Sequence, residues 1–457
     1  MGRDVLETLK SAKGISPRTL KIISMAESKS TEESLIPHLH TVLGELYHHP
    51  YPHVPCPGEL KKRASVALII RVNPRYEQWP DDAEELGDLP TNDDTVGRLA
   101  RFFAKPWVQH GDPEVLFIKR AARKGDRWEG HIALPGGRRD PEDADDQAAA
   151  VRETSEEVGI DLSPSQAIAV GNLPQRLVTT SWGKVPLMIL CPYIFLLDKH
   201  EVAPQRLQPT EIASTHWVPL RALLNPALRT WEYQDVSSRF ARQRFGLKRL
   251  ALRYMLGHQM FNAIKLVPSE SLYCSSIPGF VPDIPNEDGI MGAVTSLLRP
   301  RRNRQGGAPL LLWGLTLGVL TDFLDMLPPH NAIEMWTCPT FSPPDIQFMI
   351  WVMSYRFTRE KHAELRGDLA IHPPSGRTPG PGDGMTEEVV PEAGIEGLGS
   401  QIERGGQRRP NASAVSRLLE GYYDIIMRAL AVTFIGRASV VTLAIGIWLR
   451  HRRRNAL

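Results

Sequence analysis

The chain has 457 residues, 42% of them hydrophobic, enough to bury at least one full core and more than a single domain usually needs. Its 54 basic side chains against 52 acidic ones leave a formal charge of +2, which excludes the broad positive field that gathers nucleic acid. A globular body with extensions, and no nucleic-acid partner, is expected.

The four cysteines, Cys56, Cys191, Cys274 and Cys338, are too dispersed for a C-x-x-C zinc pattern or a disulfide framework, and free thiols in a reducing compartment are expected. No basic stretch leads into an apolar core and cleavage site at the N-terminus, so the expected location is intracellular and Asn411-Ala412-Ser413 is a chance sequon.

Residues 1–60 read as an N-terminal extension, with a short helix around Leu35–Tyr47 and an extended lead-in through Pro50, Pro52 and Pro55. Arg63–Val72 is compact, β-branched and bounded by charge and Asn73-Pro74, as a buried strand should be. Asp81–Thr95 is an acidic loop. Val115–Ile118 and His131–Leu134 read as further strands, the second stopping at Pro135-Gly136-Gly137. Asp145–Val158 is free of Gly and Pro and rich in Ala, Gln and Glu, which predicts a helix, with Pro141 near its entry and Gly159 as its C-cap.

Ala167–Val170 and Val185–Leu197 follow as strands, the latter too short and too broken by Pro186 and Pro192 to span a bilayer. Thr215–Leu220 reads as a strand and Arg221–Leu224 as a turn of helix. Residues 226–308 are an insertion, with an Arg-rich helical stretch near Ser237–Tyr254 and a loop between Pro268 and Gly307. Leu310–Leu327 has helical spacing, with Trp313, Leu317, Leu320 and Leu324 on one side. A main domain over 61–328 is then followed by a helical extension (329–365), a Gly-, Pro- and charge-rich disordered linker (366–412) and an apolar and basic tail (413–457).

On a helix advancing about 100° per residue, Glu153, Glu156 and Glu157 fall on one stripe. Like charges at this spacing cost a few tenths of a kcal/mol per pair, a sign that a hard divalent cation would reverse. Alone, Arg-Glu-x-x-Glu-Glu is more often a solvated helix face. Here a strand, a glycine pair, an acidic loop, the helix and a closing Gly159-Ile160 stand in order.

The segment from Gly136 to Ile160 resembles the Nudix box, Gly-x5-Glu-x7-Arg-Glu-U-x-Glu-Glu-x-Gly-U with U apolar. Arg152, Glu153, Glu156, Glu157, Gly159 and Ile160 match it. The loop after Gly137 is one residue longer, Thr154 takes an apolar position, and Glu142, Asp143, Asp145 and Asp146 stand where the pattern has a single glutamate. The longer loop, with Asp143, is similar to the variant box of the coenzyme A pyrophosphatase branch. Leu116–Arg120, Trp128–His131, Leu134–Gly137 and Leu312–Thr316 match further features of that branch, although Leu134 replaces its aromatic residue. Full-length fungal Nudix-domain proteins are similar too.

The resemblance implies an α/β/α Nudix sandwich, a mixed sheet between helices, that cleaves a pyrophosphate bond with Mg²⁺ or Mn²⁺ in coenzyme A or another nucleoside diphosphate derivative. It implies Glu153, Glu156 and Glu157 as metal ligands, with Glu153 or Glu157 also orienting or deprotonating water, and Arg152 as the residue pinning a carboxylate. Glu211, ahead of Trp217–Leu220, is similar to a downstream acidic ligand or base; the alternative is an ordinary loop carboxylate. Gly136, Gly137 and Arg120 fall at substrate-binding positions, whereas Lys119, Arg123, Lys124 and Arg127 read as surface charge more readily than as phosphate binders. His131 reads as a packing residue rather than a base. Competing readings are a Nudix-fold binding module without catalysis and a membrane-tethered interaction protein.

Ala429–Leu449 would measure about 31 Å as a helix, the thickness of a bilayer core, but Arg437 at its middle is costly there. Arg450–Arg454 supplies a basic stop, so membrane association through 429–454 is expected, with peroxisomal and mitochondrial surfaces among the destinations.

Overall fold

A computed structural model of the chain describes residues 34–56, 62–80, 94–121, 130–179, 185–200, 203–237, 247–274, 309–370 and 413–454. The expected loop over 81–93, the basic residues Arg123, Lys124 and Arg127, and the expected linker beyond residue 370 lie outside them.

Helix α1 (Leu35–His48), capped by Ser34, precedes strand β1 (Arg63–Asn73). Two short helices, α2 (Thr95–Ala104) and α3 (Pro106–His110), lead to β2 (Asp112–Arg120). The short strands β3 (Ile132–Ala133) and β4 (Gly136–Arg138) then feed helix α4 (Asp146–Val158). Next come β5 (Ala167–Asn172), β6 (Arg176–Thr179), β7 (Pro186–Leu197), β8 (Ile212–Pro219) and a single helical turn α5 (Leu220–Leu224). The rest comprises β9 (Arg229–Gln234), α6 (Leu247–Leu256), β10 (Gln259–Lys265), β11 (Glu270–Tyr273), β12 (Leu311–Trp313), α7 (Gly314–Leu324), β13 (Thr340–Phe341), α8 (Pro344–Ala370), α9 (Ala414–Leu419) and α10 (Tyr422–Arg454).

The main sheet runs β11-β8-β2-β1-β7-β5, with β3 on β2, β4 on β1 and β6 on β7. It is mixed: β1 and β7 are parallel, from Arg63↔Ile189 to Ile70↔Leu196, and the other ladders are antiparallel. The central strand β1 is covered on both faces, which is why it reads as a continuous apolar run rather than an alternation. Leu68, Ile70 and Val72 enter a core with α1, α2, α3 and α7, while Ala67 and Ile69 meet Ala150 and Val158 of α4 on the other face. Full burial of each large aliphatic side chain contributes about 1.5–3 kcal/mol, so both layers are held firmly to the sheet. The architecture is an α/β/α sandwich around a mixed sheet.

Four expected elements differ. The strand expected over His131–Leu134 is regular only at Ile132–Ala133, with His131 still bonded to Arg120 through its carbonyl, because Leu134 and Pro135 turn into the glycine bend. Leu311–Trp313 is a strand rather than the start of the helix expected at Leu310, since Gly314 at φ 69° breaks the chain direction and the helix begins there. Within the loop expected after Pro268, Glu270–Tyr273 forms the edge strand against β8. β9, β10, β12 and β13 build a smaller antiparallel sheet, with β10 central. The tail expected to begin its apolar helix at Ala429 is helical from Tyr422, and its first half, including Ile426, Ala429 and Leu430, packs with Ile346 and Ile350 of α8.

Candidate active site

Helix α4 starts where its sequence says it should: the Asp145 carboxylate accepts from Ala148 N (2.7 Å), satisfying a first-turn donor. It stops at Gly159, whose φ of 75° is left-handed and whose N–H donates to Ser155 O. Its first turn is anchored to β1 by Asp146, which accepts from Arg63 Nε (2.9 Å) and Arg139 Nη1 (3.2 Å). Arg63 in turn donates to Gln175 Oε1 and Val54 O, so its buried charge is fully engaged. The Arg63–Asp146 pair leaves no trace in the chain's periodicity, because a residue heading a strand and one heading a helix 83 positions later share no periodic pattern.

The glycine bend brings the backbone against the helix. Gly136, at φ 141°, has no room for a Cβ beside Ser65 and Val66, and a Cβ on Gly137 would overlap the Glu153 carboxylate. Gly136 N donates to Glu157 Oε2 at 2.9 Å. Glu157 is nearly inaccessible, and burial pushes its carboxyl up to about 8, with Glu153 and Glu211 adding to the rise while Gly136 N and the Arg120 guanidinium oppose it. Glu153 is also raised, first by burial and then by Glu156 and Glu211, against the lowering by Arg152. The acidic groups therefore act on one another across the bend, and Glu211 lies close enough to join them.

Arg152 is the hub of the outer rim. It makes a two-point contact with Asp143, Nε–Oδ1 at 2.9 Å and Nη2–Oδ2 at 3.0 Å, and reaches Glu153 Oε1 and Glu156 Oε2 at 3.2 Å each. That guanidinium holds the Asp143 carboxyl below its usual range. Glu156 is the most exposed of the three helix glutamates. Glu142 is exposed, so of the acidic loop residues it is Asp143 that the fold turns toward the helix. Glu211 precedes β8, and its carbonyl accepts from Ala121 N at 2.7 Å, which fastens it beside the end of β2.

Among the described residues no three acidic, His or Cys side chains already converge on one point as a closed metal cage. The donor set is nonetheless what a hard divalent ion takes: carboxylate oxygens, two of them on desolvated side chains whose charge is unfavourable without a counter-cation. Arg152 and Gly136 N now occupy lone pairs of these carboxylates that a cation would compete for.

Residues 106–240 match the model of the NUDIX domain. The chain is 34% identical over 241 residues to an uncharacterized protein of Schizosaccharomyces pombe, covering 52% of this chain and 64% of that one. It is 32% identical over 123 residues to the peroxisomal coenzyme A diphosphatase NUDT7 of Mus musculus, covering 26% and 47%. It is 34% identical over 145 residues to the uncharacterized Nudix hydrolase NudL of Citrobacter koseri, covering 32% and 68%. The chain thus spans less than two-thirds of the length of the first two relatives. With the glycine bend, the carboxylate-bearing helix and the mixed sheet in place, and with a Nudix hydrolase matched over 68% of its length, the chain belongs to the Nudix hydrolase family.

Proposed function

We propose that the chain hydrolyses the pyrophosphate bond of a nucleoside diphosphate derivative, with coenzyme A or a CoA derivative as the first candidate. The observation that carries the reading is the packing of Glu153 against Gly137 beside the buried Glu157, with Glu211 acting on both. In this reading Glu153, Glu156 and Glu157 hold Mg²⁺ or Mn²⁺, and Glu211 is a further ligand or base. The bound ion would supply a water of lowered pKa and neutralise charge developing on the diphosphate oxygens. Gly136 N fixes one Glu157 oxygen, which sets the direction of the other. Burial makes the charged form of Glu157 unfavourable on its own, so a bound cation would gain by neutralising it. Arg152 keeps Glu153 and Asp143 in register, and Arg120 places a cation beside Glu157 where a substrate phosphate would sit. Coenzyme A ranks first because the mouse relative bears the name of a coenzyme A diphosphatase. Incubating the purified chain with Mg²⁺ and a panel of coenzyme A, ADP-ribose, a nucleotide sugar and a dinucleoside diphosphate tests this: each cleaved member should yield two monophosphates. No cleavage of any member would overturn it.

Helix α10 supports a second part of the reading, contact with a membrane. Arg437 lies at the edge of the packed half, in a two-point pair with Asp345 (2.6 and 2.7 Å). Beyond it Val440, Val441, Leu443, Ile445, Ile447 and Trp448 are all more than half exposed, and Arg450 and Arg452–Arg454 follow. While Arg437 stays on Asp345, the projecting apolar segment Ala438–Leu449 is about 18 Å long, short of the roughly 30 Å of a bilayer core. We therefore place the tail on an anionic membrane surface, a peroxisomal one included, rather than across it. Flotation with vesicles containing phosphatidylserine should carry the full chain, and a chain ending at residue 437 should stay behind; equal flotation of both would contradict the assignment.

A further inference from the structure

Arg120 and His131 oppose each other where β2 meets the approach to β3: Arg120 N donates to His131 O at 3.0 Å, and Gly130 N donates to Arg120 O at 3.1 Å. Opposed residues of an antiparallel pair share a face of the sheet. That face is the one α4 covers, because Ile118, two residues before Arg120, packs there with Ala150 and Val158. His131 therefore projects on the same side as the glutamates of the box.

The imidazole of His131 lies 4.8 Å from the ring of Trp313, and Trp313 lies 5.3 Å from the ring of Phe261. The smaller sheet explains why these rings are together. Trp313 stands opposite Ala263, two residues from Phe261 on the same strand, and Phe261 stands opposite Glu232. The alternate positions, Ile264 and Leu312, enter the main core, so the aromatic side of the sheet is the side the core does not use. All three rings are half-buried. The outcome is a run of three contacting rings, tilted by 50° and 38° to one another, that starts at the residue opposite Arg120.

We propose that His131, Trp313 and Phe261 are a stacking platform for the nucleobase of the substrate, whose diphosphate then reaches Arg120 and the carboxylates of α4. The assignment rests on the diphosphatase reading above and adds to it the group that selects the substrate. A planar base suits this surface because every nucleobase offers a π-face to an aromatic ring whatever its edge pattern. A diphosphate lacking a base would gain nothing from it.

Equilibrium binding tests the platform without requiring turnover. The full chain and its Trp313→Leu and Phe261→Leu variants, which keep apolar bulk and lose a ring, are titrated calorimetrically with AMP and with ribose 5-phosphate. Loss of one stacking ring should weaken AMP about tenfold and leave ribose 5-phosphate unchanged. A circular dichroism melt within a few degrees of the wild type qualifies each variant, and two positions keep the test alive when one fails to fold. No AMP binding by the wild-type chain, no effect of either substitution, or an equal loss for both ligands would overturn the platform. If AMP binding shows the expected loss while no diphosphate is cleaved, the diphosphatase reading fails and the base site stands. If diphosphates are cleaved and AMP is indifferent to the rings, the base site fails alone.

Discussion

Gly137 and Glu153 are so close that a single methyl group on the glycine would occupy the space of the glutamate carboxylate. The glutamate carboxylate thereby lies directly against the bare backbone of the bend. Gly137→Ala is expected to displace Glu153 and lower turnover at least tenfold, with the melting temperature changed by only a few degrees because the displaced group is a side chain at the rim of the helix. Parallel kinetics and thermal melts check this; wild-type turnover in a folded variant would show that Glu153 need not sit there.

Arg152 holds Asp143 by two hydrogen bonds and Glu153 and Glu156 by one each. Asp143→Asn should leave the helix in place but release part of that hold, and a loss of about tenfold in activity is the expected size for a group that supports ligands rather than acting itself. Steady-state kinetics at saturating Mg²⁺ measure it.

The buried pair Arg176–Asp322, with Nη2–Oδ2 at 2.5 Å, joins β6 to α7, and Ser413 donates to the same aspartate at 3.2 Å as it caps α9. Removing one partner strands a charge in a fully buried place. Arg176→Met is therefore expected to cost about 3–5 kcal/mol, read as a shift in the urea midpoint. Asp345→Asn should cost no more than about 1 kcal/mol, because its pair with Arg437 is partly exposed and screened.

Asp325 closes α7 and is nearly inaccessible; burial pushes its carboxyl up to about 7, against the backbone hydrogen bonds from Ile333 and Ala332. A folded pKa above the unfolded value means that its contribution to stability is fully present below about pH 4 and is lost as pH rises through about 7. Asp325→Asn, which keeps the acceptor for Ile333 N, should be more stable than the wild type at pH 8, by an amount on the order of 2 kcal/mol, and no more stable at pH 4. Melts at both pH values decide it.

Much of this fold was legible because the signals were local. Arg63–Val72 is apolar on both faces and emerged as the central strand, and Asp145 and Gly159 marked the ends of α4 within a residue. The edge strand was not. Ile132–Ala133 lies inside the strand expected over His131–Leu134, but Glu270–Tyr273 exists through pairing with β8, and nothing in four residues announces a distant partner. Leu311–Trp313 hid inside a helical spacing that Gly314 interrupts, a glycine whose left-handed φ only the folded chain reveals. At the site, the spacing of Glu153, Glu156 and Glu157 put them on one helix face, but the closeness of Glu211 and the opposition of Arg120 and His131 depend on how β2, β3 and β8 lie together. The tail showed its apolar length in sequence, while the share of it claimed by α8 did not show, because α8 and α10 are far apart along the chain.

The central claim is that the desolvated Glu157, beside Glu153, serves metal-assisted hydrolysis of a diphosphate. The most direct measurement compares wild type, Glu153→Gln and Glu157→Gln on the best-cleaved diphosphate, each with Mg²⁺ and with the ion removed by EDTA. Activity should require the ion and fall about a hundredfold in each variant while the melting temperature holds or rises. Undiminished turnover in both variants, or turnover indifferent to EDTA, would contradict the account.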